Sequence, residues 1–183
     1  MDDFLYDEIP SLDLSAFYGH DAARKEQFVH ALGEAFNQIG FVAIRSHFLT
    51  QRTQDKLYDA VKNFFALPDS VKAKYAIAGL AGQRGYTGKG REHAKGRNTG
   101  DLKEFFHIGQ ELDSAFLGWE GYPANVWPEE VPDLKPLAVE IYRGLEKTGV
   151  FMLRAIALYL GLEENYFDDK VRNGNSILRP IHY

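Results

Sequence analysis

The 183-residue sequence contains no cysteine, and this absence removes several classes of chemistry. Disulfides, cysteine-ligated zinc, iron–sulfur clusters and cysteine nucleophiles are excluded. The sequence also lacks a long apolar run, because residues 150–160 are interrupted by Arg154 and fall short of the roughly 20 apolar residues that a membrane span needs. The acidic N-terminus does not have the form of a signal peptide. We therefore expect a cytoplasmic protein without a membrane partner.

Charge and composition exclude further classes of protein. The sequence carries 21 basic and 26 acidic residues, and its formal net charge of −5 argues against a general nucleic-acid binder. Hydrophobic residues make up 45% of the chain, which is enough to build a core and excludes a mainly disordered protein. The length indicates one domain or a large part of one, and no linker divides it.

The pattern of apolar residues predicts an α+β chain with about five β segments and three to five helices. Asp21 and Thr50 are placed to cap the first two long helices, and Asp133 to begin a third. Four of the β segments are expected at residues 9–14, 41–45, 102–108 and 176–183. The segment 41–45 is expected to be buried, and the last segment is expected to pair either with it or with residues 102–108.

Helical spacing also predicts one buried layer against the sheet. Its members are Phe64, Phe65, Ile141, Met152, Ile156 and Leu160.

Residues 79–100 differ from the rest of the chain, since seven of these 22 residues are glycine. Their composition predicts an irregular, mobile loop. The loop contains Arg84, Lys89, Arg91, Lys95 and Arg97, with Glu92 as its only acid. Such a loop could bind an anion or nucleic acid, although it matches neither a Walker A loop nor a dinucleotide fingerprint. A solvated surface loop is the alternative that its composition favours.

None of the six histidines has an acid or another histidine at the spacing of a metal-binding motif. His107 lies in an apolar strand segment, where a histidine is more often a hydrogen-bonded core residue than a ligand. The sequence therefore predicts no metal ligand and no catalytic residue within this chain.

Four blocks of sequence nevertheless occur in an order that resembles a known family. They are Ile-Pro-Ser-Leu-Asp-Leu at 9–14; Ile-Gly-Phe-Val-Ala-Ile at 39–44 with Phe-Phe-Ala-Leu-Pro at 64–68; Gly-Tyr at 85–86 with Asp-Leu-Lys-Glu-Phe-Phe at 101–106 and Asn-Val-Trp-Pro at 125–128; and Asn-Ser-Ile-Leu-Arg-Pro-Ile-His-Tyr at 175–183. Each block is weak alone, but their order and spacing resemble the isopenicillin N synthase-like 2-oxoglutarate/Fe(II)-dependent oxygenases.

This resemblance implies a double-stranded β-helix, or jelly roll, with helices packed outside it. Family members bind Fe(II) through an H-x-D motif and a distal histidine, and anchor 2-oxoglutarate with an R-x-S motif. This sequence contains neither motif, and its β segments are fewer than the eight of a jelly roll. We therefore expect residues 1–183 to be an N-terminal portion with an incomplete core and the catalytic half absent. Alone, it is expected to hold no cofactor and to be inactive.

The resemblance also suggests roles for individual residues. Tyr183 matches a tyrosine that helps to hold 2-oxoglutarate or a substrate carboxylate in relatives, with an ordinary strand aromatic as the alternative. Strand alternation places Arg179 on the same face. Arg84, Tyr86 and Glu92 fall in the region that relatives close over a small-molecule substrate, with surface charge as the alternative for Arg84 and Glu92. Two other functions stay open: a non-catalytic interaction domain derived from the family, and anion or nucleic-acid binding through residues 79–100. An oxidase or cyclase that does not use 2-oxoglutarate is also compatible with the sequence.

Overall fold

A computed structural model describes residues 9–80, 82–92, 100–111 and 122–183. These ranges contain the helices α1 Ser15–Tyr18, α2 Ala22–Gln38, α3 Gln51–Phe65, α4 Asp69–Lys72, α5 Leu134–Tyr159 and α6 Asp168–Val171. They also contain the strands β1 Ser11–Asp13, β2 Ala43–Arg45, β3 Gly85–Thr87, β4 Glu104–Gly109, β5 Ile177–Leu178 and β6 Ile181–His182. The mixture of helix and sheet agrees with the predicted α+β class. Within these ranges, no helix combines the length and apolar character needed to cross a membrane.

The chain forms two compact units that are interleaved in sequence. One consists of Met1–Leu49 and Gly144–Arg172, and the other of Thr50–Arg143 and Asn173–Tyr183. The chain passes from one unit to the other three times, and one of these passages lies inside α5. Because a continuous helix makes that passage, the sequence shows no linker between the units.

The first unit is a parallel β1–β2 pair joined by α1 and α2, with Ser11 opposite Ala43. The Asp21 carboxylate begins α2 by accepting hydrogen bonds from the first-turn amides of Ala23 and Arg24, as its capping role predicts. The core of the first unit contains Leu14, Phe17, Phe28, Leu32 and Ala155. A strand does form within residues 41–45, at Ala43–Arg45, but the expected burial of the segment is wrong. Ile44 packs against the core, whereas Ala43 and Arg45 are on the exposed face, and Phe41, which lies before the strand, is 68% exposed.

The second unit is built on an antiparallel sheet with β4 at its centre. Strand β3 pairs with one edge of β4, where Tyr86 lies opposite Phe106. Strands β5 and β6 pair with the other edge, and of the two partners expected for residues 176–183 the structure confirms residues 102–108. Pro180 separates β5 from β6 because it has no amide hydrogen, but its carbonyl oxygen still accepts the Phe106 amide at 3.1 Å.

Side chains of β4 alternate between two environments. On one face, the Phe106 ring lies 4.9 Å from that of Phe64 in α3. On the other face, the rings of Phe105 and His107 are 4.6 Å apart. All six residues of β4 are buried, so neither face of this strand is open to bulk solvent.

The predicted helical layer is only partly confirmed. Phe64, Phe65 and Ile141 are buried and belong to the second unit. Met152 and Ile156 instead pack against the core of the first unit. Leu160 is 59% exposed, so its predicted burial is wrong. Helical spacing identified apolar stripes but could not tell which of two cores each stripe faces.

The glycine-rich segment is not wholly irregular, which corrects the sequence prediction. Strand β3 lies inside it and begins at Gly85, where φ is +74° and a Cβ would lie 2.3 Å from the Tyr75 carbonyl oxygen. Only glycine tolerates both the positive φ and the close approach to Tyr75, so this residue allows β3 to pair with the sheet. Residues 81 and 93–99, including Lys95 and Arg97, lie outside the described residues, and the mobility of the segment stays a prediction.

We expect Gly85→Ala to destabilise the protein much more than Gly90→Ala. Gly90 has a similar φ of +77°, but a Cβ there would meet nothing within 4 Å. The control should therefore cost only the backbone strain of about 1–2 kcal/mol. Gly85→Ala adds a backbone collision, which typically costs a further 1–3 kcal/mol or so. Chemical denaturation of both variants measures the difference, and equal losses would contradict the close approach to Tyr75.

Candidate functional site

A cavity of about 660 Å³ lies against the face of the sheet that carries Phe105 and His107. Its size is within the usual range for small-molecule sites. Strands β3, β4 and β5 supply one wall, and the glycine-rich segment supplies much of the rest. Charged side chains at its lining are Arg91, Glu92 and Arg179.

Arg179 is the best-defined charged group of the cavity. Its guanidinium lies over the Phe105 ring, 4.4 Å from the centroid. Its Nε–H donates to His107 Nε2, and an Nη2 nitrogen lies 3.8 Å from Glu92 Oε1. Glu92 is also 3.0 Å from Lys103 Nζ, so its negative charge is shared between two cations.

The contacts of His107 establish its tautomer. A carbonyl oxygen only accepts, so the contact with Gly82 requires a proton on Nδ1. Arg179 Nε–H only donates, so Nε2 must be unprotonated. His107 is therefore neutral. Burial lowers its pKa; the hydrogen bond to Gly82 opposes this effect, and the nearby Arg179 cation adds to it. The sequence prediction of a hydrogen-bonded core histidine is confirmed.

Arg84 lies beneath this region and is only 1% exposed, so the alternative of surface charge is wrong for it. Its Nη atoms donate to the Gln83 carbonyl oxygen at 2.7 Å and to Asn175 Oδ1 at 2.9 Å. Its guanidinium lies 5.6 Å from the Tyr122 ring centroid. Burial lowers the pKa of Arg84. Among the described residues, no carboxylate forms an ion pair with it, and Nε has no hydrogen-bond partner.

Tyr86 borders the cavity, but its hydroxyl lies on the opposite face of the sheet. There it donates to Glu104 Oε2 at 2.6 Å. Glu104 is 2% exposed and also accepts from Lys72 Nζ at 2.8 Å and from His182 Nδ1 at 2.9 Å. The His182 ring stacks on Phe65 at 5.2 Å. This buried network anchors α4, β3, β4 and β6 to one carboxylate.

The network shifts the pKa values of its members. Burial alone would raise the pKa of Glu104, but hydrogen bonds from Lys72, Tyr86 and His182 lower it to about 2. Burial and the bond to Glu104 raise the pKa of Tyr86 to about 12. Glu104 is therefore ionised and Tyr86 protonated at neutral pH.

The structure brings together some of the residues singled out in the sequence. Tyr86, Glu92 and Arg179 line the cavity, whereas Arg84 does not. Tyr183 follows β6, is 84% exposed and does not line it. The sequence did not reveal the contact between His107 and Arg179 or the roles of Glu104 and Lys72. The antiparallel register places Arg179 opposite His107, but this register can be derived only when the pairing of the last strand with β4 is known.

The described residues do not fit an iron site. Among them, no group of three or more His, Asp or Glu side chains could hold a metal ion. His107 uses both ring nitrogens in protein contacts, and His182 uses Nδ1. We therefore assign no iron ligand to these residues.

Residues 9–130 match a protein-family model described as the N-terminal region of non-haem dioxygenases in morphine synthesis. The chain belongs to this family. Its relatives include the 2-oxoglutarate-Fe(II) type oxidoreductase hxnY of Emericella nidulans. The two are 32% identical over 95% of this chain and 52% of that protein.

Solved structures give the same assignment. A 2OG-Fe(II) oxygenase family protein from Caulobacter crescentus is 39% identical, with a TM-score of 0.81 over 96% of this chain and 56% of that one. A full-length Neurospora crassa protein, solved in complex with alpha-KG, is 27% identical, with a TM-score of 0.80 over 96% and 54%. The chain thus spans about half the length of these relatives.

We expect Glu104→Gln to destabilise the protein by about 1–3 kcal/mol, because Lys72 would lose its buried carboxylate partner and keep only the exposed Asp69, 3.1 Å from Nζ. Thermal or chemical denaturation measures the loss. Glu163→Gln, at an exposed position, is the matched control and should change stability by less than about 0.5 kcal/mol. Adding Lys72→Met to the Glu104 variant should recover much of the loss, since it removes the buried cation that has lost its buried partner. A loss below 1 kcal/mol or so in the single variant would contradict the network.

The contribution of Glu104 should also depend on pH. Its pKa is lowered from the ordinary value of 4.5 to about 2, so the native state favours the ionised form. The stabilisation is complete above pH 4.5 and is lost as pH falls toward 2. The difference in unfolding free energy between the wild type and Glu104→Gln should therefore shrink over this interval. A difference that stays constant from pH 6 to pH 2 would exclude an ionised Glu104 as its source.

Proposed function

We propose that the protein is a 2-oxoglutarate/Fe(II)-dependent oxygenase that oxidises a small molecule with O₂ and releases succinate and CO₂. The observation that carries this proposal is the family match over residues 9–130. The relatives support it, since hxnY is a 2-oxoglutarate-Fe(II) type oxidoreductase and the Neurospora crassa protein has been solved with alpha-KG and thymine. The reaction couples decarboxylation of 2-oxoglutarate to substrate oxidation at an iron centre.

In such an oxygenase, the cavity against β3, β4 and β5 would form one wall of the substrate-binding site. Arg179 and Glu92 are the residues that we expect to contact substrate. An arginine only donates hydrogen bonds, so the substrate group that meets Arg179 must carry acceptors, such as a carboxylate or a ring carbonyl. Glu92 can accept a hydrogen bond from an adjacent substrate donor. Roles for Arg84 and Tyr86 in substrate binding and for Tyr183 in holding 2-oxoglutarate stay predictions.

The sheet formed by β3, β4, β5 and β6 is proposed to be the first part of a double-stranded β-helix. The similarity to solved oxygenases supports this placement. It would make residues 1–183 an N-terminal portion whose strands brace a site completed by other residues. Neither the H-x-D and R-x-S motifs of the family nor an iron-binding cluster among the described residues is found here. We therefore propose that this chain alone does not hold Fe(II) or 2-oxoglutarate specifically.

Succinate release tests both parts of the proposal. The 183-residue chain and the longest product of its gene would each be incubated with Fe(II), ascorbate and 2-oxoglutarate. We expect release by a product that carries the family motifs, because they supply the iron ligands and the 2-oxoglutarate anchor. No release is expected from the 183-residue chain.

The controls separate the two ideas. Omitting Fe(II) or adding a chelator should abolish succinate release. Equal turnover by both proteins would show that the iron site is placed wrongly. An absence of release from a product that carries all the family motifs would contradict the proposed function.

A further inference from the structure

His107 has contacts that a core histidine does not need for packing alone. It is 4% exposed, and its two ring nitrogens connect the glycine-rich segment to the last strand pair. One nitrogen donates to Gly82, and the other accepts from Arg179. The contact with Gly82 requires a proton on Nδ1 and the contact with Arg179 requires an unprotonated Nε2, so together they select the neutral Nδ1–H tautomer.

Strand register explains why these two residues meet. The pairs Phe105↔Ile181 and Ile108↔Leu178 share one antiparallel register, which places Arg179 directly opposite His107. Directly opposed residues lie on the same face of a sheet, here the face of the cavity. Pro180 also restricts the backbone of Arg179 to extended conformations. The strand register thus fixes where the Arg179 side chain leaves the backbone, and the restricted backbone fixes the direction in which it leaves.

The guanidinium itself is held from three sides. Phe105 supports one face of its plane, His107 accepts from Nε–H, and Glu92 approaches an Nη atom. An arginine side chain ordinarily has many rotamers and loses about 2 kcal/mol of entropy when it is fixed. Here that ordering is completed by protein contacts before any substrate arrives. The contact with His107 uses Nε–H alone and leaves the Nη–H groups to other acceptors.

We propose that His107 is a positioning residue that fixes the Arg179 guanidinium at the cavity wall. This inference rests on the proposed function. If the cavity binds substrate, the fixed N–H donors of Arg179 would select substrates whose acceptor atoms lie at matching positions. In this role His107 acts on the substrate only through Arg179. It acts by accepting the Nε–H and by supporting Phe105, against which its own ring packs.

Nuclear magnetic resonance of the uniformly ¹⁵N-labelled chain tests the proposal without catalysis. Long-range ¹H–¹⁵N correlation should show His107 as the Nδ1–H tautomer at pH 7. The Arg179 Nε–H resonance should exchange slowly with solvent. In His107→Leu this exchange should become about tenfold faster, the effect of losing one hydrogen bond.

Conservative variants distinguish positioning from a general loss of structure. In His107→Gln, the side-chain oxygen can take the place of Nε2 as acceptor, so slow exchange should be largely restored. In Arg179→Lys, the contact with Gly82 keeps His107 as the Nδ1–H tautomer, but its Nε2 resonance should shift because Nε2 no longer accepts from a fixed donor. His20→Leu, at an exposed position, is the control and should change neither signal.

The outcomes separate this inference from the proposed function. Unchanged Arg179 exchange in a folded His107→Leu protein would overturn it, as would an Nε2–H tautomer in the wild type. If His107→Leu does not fold, the wild-type tautomer and the Arg179→Lys spectrum still decide the question. A failed succinate assay with the expected spectra would refute the oxygenase function and leave the positioning intact.

Discussion

Burial of β4 on both faces is the constraint on which the second unit depends. A strand that is covered on each side must find partners inside the protein for every polar side chain it carries. Strand Glu104–Gly109 carries two such residues, Glu104 and His107, and alternation sends them to opposite faces. Each residue is satisfied by long-range contacts, so the cost of burying it is offset only when the surrounding elements are in place.

The buried polar residues on the two faces of β4 have different kinds of partner. On the core face, Glu104 is ionised and is matched by the Lys72 cation, which ties α4 to the sheet. On the cavity face, His107 is neutral and is matched by Arg179 without neutralising its charge. A neutral acceptor leaves the positive charge of Arg179 to Glu92, 3.8 Å away, and to acceptors in the cavity, whereas a buried carboxylate in the place of His107 would have formed a closed ion pair. The same strand therefore stabilises the fold on one side and presents a usable cation on the other.

Local chemistry made much of the fold predictable from sequence. Asp21 and Thr50 act as helix caps within a few residues of their helices, so their roles can be recognised without tertiary information. The strand at 102–108 was evident from its apolar run. Strand β3 was missed because Gly85 was interpreted as part of a loop, although its glycine serves a close approach to Tyr75. The exposure of Phe41 and Leu160 differs from the prediction because an apolar run or a helical stripe shows which residues are apolar but not which element covers them.

The candidate site shows the same boundary between local and long-range information. Resemblance to a family directed attention to Glu92 and Arg179, and the structure places both at one cavity. Nothing in the spacing of His107 and Arg179, 72 residues apart, indicates a contact between them. The contact follows from the register of β4 with the last strands, which in turn depends on Pro180 interrupting that pairing without shifting it. A one-residue slip would turn Arg179 toward the core face and its buried carboxylate. The identity of the cation in the cavity can thus be read from the sequence, but its position is set by the sheet.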